Sequence, residues 1–305
     1  MPEIIEIRKY ADFLKKILKN KYIIDINILK GRYLKYGPFK LYDELKEKLP
    51  IKVLDIKTKG KFLYFVLEND YYIGTTLGLS GGWVYLPNST KKFKFPILID
   101  NIENLGNYDI NLYKKIALNN RNIEFKLDKG LLYFYDSLSF GTIKIFNSKI
   151  LINKKLDSIG PDIMNTEETT FQVFENQLLL KKNLEKYIGV VLMDQKVISG
   201  IGNYLRSDIL WCSKISPFRK VKDLTKKELK EIYKYTIILT WGDYDFKYAV
   251  NKGIIKKSSK LPKDYKRIFF AYKQKEDIYK NAIVKELLYE GSQKRFIYWS
   301  VERQK

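Results

Sequence analysis

The residues best able to do chemistry stand at the start of the chain, where Met1 is followed by Pro2, Glu3, Ile4, Ile5 and Glu6. Removal of Met1, which a small second residue permits, is expected to leave a secondary amine at the chain end. A terminal α-amino group titrates near ~7.7–8.0, so a neutral, nucleophilic fraction exists at neutral pH, unlike an unperturbed lysine. Glu3, next to that amine, is placed to move protons for it, and Glu6 follows one turn later on a helical pattern. The same residues also suit a plain helix start. Proline is tolerated in a first turn, where its missing N–H has no partner, and acids at a helix N-terminus are favoured by the dipole.

Composition narrows the chemistry. Histidine is absent and cysteine occurs once, at Cys212 in the apolar run ILWCSKI. Imidazole bases, triads, disulfides and thiolate or imidazole zinc sites are thereby excluded, and Cys212 reads as a small core residue. Amines, carboxylates and hydroxyls remain, and no metal or cofactor is expected. The 57 Lys+Arg against 35 Asp+Glu give a net charge of +22, spread along the chain and not gathered in a tail. Such a surface suits a polyanion, nucleic acid first and anionic membrane second. No apolar run of about 18 residues exists, and acids occupy the N-terminus where a signal peptide needs an apolar core. A soluble, intracellular protein is therefore expected, nuclear or cytoplasmic.

These residues must be carried by elements that the patterning announces. Ile4, Ile7, Ala11, Leu14 and Leu18 alternate at spacings of three and four, the stripe of an amphipathic helix over 3–18. From Tyr22 to Phe146 the pattern turns to short β-branched and aromatic runs, YIIDINIL, IKVLDI, KFLYFVL, YYIGTT, FPILI, NIEFKL, LLYFYD and TIKIF. Turn signals separate them, as in a β-sandwich or barrel. Around 157–165, DSIGPDIMN breaks the pattern. Helical periodicity follows near 167–180, 183–194, 203–211 and 224–250, then the strand-like runs NAIVKELLY and KRFIYWSV, joined as a hairpin through Glu290, Gly291, Ser292 and Gln293. The expected fold class is α+β and multidomain. It comprises an N-terminal helix plus β-sandwich over 1–150, a linker over 151–166, a helical domain over 167–266 and a hairpin finger over 267–305.

The stretch YIGVVLMDQKVISGIGNYLRSDILW, residues 187–211, places a glycine turn between two helices. The second starts near Asn203 with its first N–H groups free to meet a phosphate, and Gly200 and Gly202 let a backbone approach closely. A bare GxG of this kind also occurs in ordinary helical hairpins.

The longer string SGIGNYLRSDIL resembles the helix-two-turn-helix signature of the formamidopyrimidine-DNA glycosylase/endonuclease VIII family, whose members excise oxidised bases and nick the resulting abasic site. The resemblance continues in order. MPEIIE is similar to the family's opening, TKGKFLYF to the strand bearing its lysine, and TLGLSGGW to the loop after the next strand. DSLSFGT resembles the loop of intercalating side chains and DSIGPDIM the interdomain segment, while FAYKQKE and KRFIYW resemble the C-terminal finger. Among known groups the chain looks nearest to the zincless endonuclease VIII-like proteins of giant viruses.

The resemblance implies roles. Pro2 would be the nucleophile, with Glu3 and Lys61 catalytic and Glu6 ordering the site. Asn203, Tyr272 and Arg295 would bind phosphates, and Leu79, Leu138 and Phe140 would fill the void left by a flipped nucleotide. The implied function is a bifunctional DNA glycosylase and abasic-site lyase, acting as a monomer without cofactor on damaged duplex, bubble or single-stranded DNA. It would form a Schiff base through Pro2, followed by β,δ-elimination, with oxidised pyrimidines and hydantoins favoured.

Three departures accompany it. The finger lacks the usual four cysteines, with Ser300 about where one would stand, so Ile297, Tyr298 and Trp299 must pack a zincless hairpin. Leu79 replaces a common methionine. Leu138 replaces an arginine that faces the orphaned base, which should flatten discrimination among opposite bases. A base-contacting loop is expected within 215–265, where the sequence offers no readable specificity code. A non-catalytic nucleic-acid binder that kept the fold is the rival reading, which the intact Pro2, Glu3 and Lys61 disfavour. A ribosomal or topoisomerase-associated protein using the same turn would not explain the opening MPE or the terminal KRFIYW.

Overall fold

Helix α1 (Ile4–Leu18) forms where the apolar stripe predicts it, and Ile4, Ile7, Ala11, Leu14 and Leu18 are all buried. The computed structural model describes residues 2–90, 92–96, 110–259, 269–290 and 293–305. It divides into two units, one of Pro2 and Glu6–Asp157, the other of Glu3–Ile5 and Ser158–Lys305. The first turn of α1 thus belongs with the second unit and the rest of the helix with the first.

In the first unit, β1 (Tyr22–Ile28) leads through the short helices α2 (Arg32–Lys35) and α3 (Tyr42–Lys46) to β2 (Ile51–Lys59), β3 (Phe62–Leu67), β4 (Tyr72–Thr76) and β5 (Gly81–Pro87). Helix α4 (Ile110–Asn119), in a stretch assigned no element by the periodicity, precedes β6 (Arg121–Leu127), β7 (Gly130–Asp136) and β8 (Thr142–Phe146). The eight strands pair antiparallel in the order β5-β7-β6-β1-β2-β3-β4-β8. Only Tyr22↔Lys52 and Ile23↔Ile51 join β1 to β2, so the sheet is two four-stranded halves on a short seam. The halves fold face to face. Phe65 of β3 lies 5.2 Å from Trp83 of β5, strands in different halves of that order, and both rings contact Phe125 of β6 in one apolar core. Of the run FPILI, residues 97–99 lie outside the described residues.

Helix α5 (Lys149–Asp157) closes the first unit and occupies the first half of the segment read as a linker. The second unit contains α6 (Phe171–Leu178), α7 (Ile188–Val191), α8 (Asn203–Ser213) and α9 (Lys226–Asn251), the last broken at Asp245. The sequence expects one helix over 183–194. Instead a 3-10 turn at Lys181–Asn183 and the four-residue α7 divide that stretch. The reason is tertiary: the N–H groups of Ile188 and Gly189 donate to Arg219 and Pro217 carbonyls and so leave the helical ladder.

Strands β9 (Val284–Glu290) and β10 (Gln293–Trp299) form the expected hairpin, with Arg295 opposite Leu288. Its turn residues Gly291 and Ser292 lie outside the described residues. Leu288 and Ile297 enter the second core, while Trp299 packs 5.4 Å from Phe218. The segment before the hairpin is held by Asp277. Its carboxylate accepts from the Tyr279 and Asn281 N–H groups at 2.8 and 3.0 Å and from the Trp211 indole at 3.0 Å. Ser300 is buried, and its N–H donates to Gln304 in a turn that fastens the chain's last residues to Ile215. Among the described residues no group of His, Cys, Asp and Glu is arranged to hold a metal ion, and no helix is long and apolar enough to cross a membrane.

Candidate functional site

The second unit builds its site on the N-terminus of α8. Gly202 occupies the N-cap position and has no side chain to satisfy the first N–H groups of the helix. Glu3, fully buried, takes that place. Its Oε2 accepts from Gly202 N at 2.7 Å and Leu205 N at 3.3 Å, and its Oε1 from Tyr204 N at 2.9 Å. The positive end of the helix dipole therefore faces a fixed carboxylate. A Cβ on residue 202 would lie 2.2 Å from the Glu3 carboxyl carbon, which is why the turn needs glycine there. Ile4 N donates to Gly200 O at 3.2 Å, so main chain and side chain of the opening both dock on the glycine turn.

Three further predicted residues gather on the same helix. Asn203 is the first residue of α8, and its Oδ1 accepts from the Arg206 guanidinium. Arg206, almost fully buried, also donates to Gly189 O and Phe296 O, both at 2.9 Å. It thereby ties α7 and β10 to α8, and it orients the strand residue next to Arg295. Burial pulls the Arg206 guanidinium down to about 10, although Glu3 opposes this; Arg295 adds repulsion. Arg295 itself is exposed.

Tyr272 is placed by Asp208 of α8, whose Oδ1 accepts from Ala271 N at 2.8 Å and Tyr272 N at 3.1 Å. Its ring packs edge-on against Tyr298 of β10 and Phe269, each 5.2 Å away. Burial pushes the Asp208 carboxyl up to about 7, against the N–H donors that favour its charged form.

The first unit holds the other predicted residues. Lys61 stands in the Gly60-Lys61 turn, one residue before β3, half-buried. Glu6 lies on α1, also half-buried, as does Pro2 before it. Leu79, Leu138 and Phe140 project from the loops after β4 and β7 with 41%, 54% and 59% of their surfaces exposed. Such exposure costs a structural residue its burial and suits one that meets a partner. The loops are stitched together by buried Asp136. Its Oδ1 accepts from the Ser80 hydroxyl at 2.5 Å and its Oδ2 from Gly141 N at 2.6 Å, while Leu138 N donates to Ser80 Oγ at 3.0 Å.

The structure thus brings Glu3, Asn203, Tyr272 and Arg295 together around α8, and Leu79, Leu138 and Phe140 together on two loops. The sequence reading missed the residues that set them, Arg206, Asp208, Asp136 and Ser80. The signal for the first two was present, since Arg206 and Asp208 stand among the large apolar residues of NYLRSDILW, and charges on a helix that is buried need partners.

Comparison with known proteins identifies the family. Residues 1–143 match the model of the formamidopyrimidine-DNA glycosylase N-terminal domain, and residues 159–240 that of the formamidopyrimidine-DNA glycosylase H2TH domain. The formamidopyrimidine-DNA glycosylase of Ureaplasma parvum is 31% identical over 240 residues, 77% of this chain and 75% of that protein. That of Mycoplasma genitalium is 28% identical over 268 residues, 87% and 81% of the two chains. A solved structure of the Lactococcus lactis enzyme, non-covalently bound to DNA containing an abasic site, aligns over 100% of both chains with a TM-score of 0.72 at 18% identity, a likeness of fold.

Proposed function

The chain belongs to the formamidopyrimidine-DNA glycosylase family, and from that premise we propose that it excises oxidised bases through a Schiff base on Pro2 and then cleaves the DNA backbone. The substrates favoured in this reading are oxidised pyrimidines and hydantoins. The observation that carries the reading is the placement of Glu3, a carboxylate removed from water and fixed by three N–H groups directly behind the residue that would be the nucleophile.

The chemistry follows from those groups. With Met1 removed, the Pro2 nitrogen attacks C1′ of a flipped nucleotide and the bond from C1′ to the base breaks, the departing base taking a proton from water. The Glu3 carboxylate accepts the proton that the Pro2 nitrogen loses and hands it to O4′ as the sugar ring opens. A secondary amine gives an iminium with no N–H proton to lose, so the adduct keeps its positive charge and acts as an electron sink. Loss of the C2′ proton then expels the 3′ phosphate, and a second elimination expels the 5′ phosphate to leave a one-nucleotide gap. Lys61 assists at the reacting centre and Glu6 orders it, while Asn203, Tyr272 and Arg295 hold the flanking phosphates. Leu79, Leu138 and Phe140 occupy the space that the flipped nucleotide vacates. The hairpin of 267–305 does the work of a metal finger by packing alone, through Ile297, Trp299 and the Asp277 cluster.

The test is a panel of single lesions in single-stranded and duplex oligonucleotides, with products resolved at nucleotide length. The proposal expects strand cleavage ending in phosphates on both sides of a one-nucleotide gap, strongest for an oxidised pyrimidine or hydantoin. Binding without base release from any lesion would leave a non-catalytic DNA-binding protein.

A further inference from the structure

In the first unit the chain between β1 and α3, LKGRYLKYG, carries Lys30, Arg32 and Lys35 with no acid and exposes Leu34 and Tyr36 at 63% and 78%. Interleaved cations and aromatics on an exposed segment are the composition of a nucleic-acid contact. This segment is seated on the loop that bears Leu138 and Phe140. Gly31 has φ +74°, and a Cβ there would lie 2.1 Å from Asn122 Nδ2; the same Asn122 receives Asp136 N on its Oδ1 at 2.8 Å. Two residues on, the Tyr33 hydroxyl donates to Ile143 O at 3.2 Å and accepts from Ile143 N at 2.7 Å.

Arg32 sits between these two anchors. It is exposed, and its Nη1 lies 3.5 Å from the carbonyl of Ser139, the residue between Leu138 and Phe140. That contact is at the limit of a hydrogen bond, and it leaves most of the five guanidinium N–H donors for another acceptor. Leu138 has no donor to offer the strand that keeps the orphaned base, so a fork beside it fills a chemical need that the apolar tips cannot. We propose that Arg32, supplied from a different part of the chain, is the cation that contacts the strand opposite the lesion. The inference rests on the reading of Leu79, Leu138 and Phe140 as the wedge.

The test is equilibrium binding, by fluorescence anisotropy, of a duplex carrying a tetrahydrofuran abasic-site analogue and of the same strand alone. Arg32→Ala should lower the duplex-to-single-strand affinity ratio about tenfold, the size of one charge-assisted hydrogen bond, and Arg32→Lys should recover part of it. Lys35→Ala removes an equal charge three residues away and should weaken both substrates alike, leaving the ratio within about twofold. An unchanged melting temperature in each variant shows that the fold is intact. A ratio unmoved by Arg32→Ala, or moved equally by Lys35→Ala, overturns the proposal. Because binding needs no chemistry, a protein that excises nothing but shows the predicted ratio would sink the glycosylase reading and leave Arg32 standing.

Discussion

Replacing Glu3 with glutamine separates the two things that its carboxylate does. In the native site Oε2 accepts from Gly202 N and Leu205 N, and Oε1 from Tyr204 N. A glutamine has one acceptor oxygen. If it takes the Oε2 position, its amide N–H₂ faces the Tyr204 N–H, and two donors meet with no water present, since the site is fully buried. An orphaned buried donor costs about 1–3 kcal/mol. Losing the charge at the helix N-terminus adds about 0.3–1 kcal/mol, more in a buried geometry. Glu3→Gln should therefore destabilise the protein by about 2–4 kcal/mol, or roughly 5–15 °C in melting temperature for a chain of this size. At a temperature where the variant remains folded, base excision should fall by two orders of magnitude or more, while nicking of preformed abasic sites falls far less, as expected of a residue that delivers the ring-opening proton (about 10²–10⁴ for such a group). Thermal unfolding and single-turnover rates on the two substrates measure both effects. A melting temperature within 2 °C of the wild type would refute the capping argument. Equal losses in excision and nicking would show that Glu3 acts through structure alone.

Two other outcomes follow from the same architecture. Activity and melting temperature should be unchanged by strong chelators, because the hairpin is held by Leu288, Ile297 and the Asp277 cluster; loss in EDTA restored by added zinc would contradict this. Asp208, whose carboxyl is pushed up to about 7 by burial, holds more proton folded than unfolded between about pH 4 and 7. Its contribution to stability therefore falls as pH rises through that window and levels off above it. Asp208→Asn keeps an acceptor for Ala271 and Tyr272 and should gain stability relative to the wild type as pH rises from 4 to 7, measured by urea unfolding across pH; a pH-independent difference would contradict the assignment.

What could be read from the residues, and what could not, divides by range. The stripe of α1 and the β9–β10 hairpin are periodicities within one element, and the buried faces match them. The break of the 183–194 stretch depends on carbonyls of Pro217 and Arg219, which no local pattern reports. Likewise the closing of the sheet through Phe65 and Trp83, and the seating of Arg32 beside Ser139, join residues distant in sequence. Glu3 shows the limit most clearly. A local reading makes it an acid at the start of its own helix, whereas its partners are N–H groups of a helix 199 or more residues away. Asn203 and Gly202 stood out because a turn needs them locally; Arg206 and Asp208 stand in the same string, but their partners at Phe296 and Tyr272 appear only once three elements are assembled.

The central claim is that the chemistry runs through the nitrogen of Pro2. Incubation with abasic-site DNA in the presence of borohydride, followed by proteolysis and mass spectrometry, tests it directly. The account predicts a reduced sugar adduct on the N-terminal peptide, beginning at Pro2 with Met1 absent, and its loss when Pro2 is replaced by glutamine, whose size keeps Met1 in place. An adduct found only on a lysine side chain, Lys61 included, would contradict it.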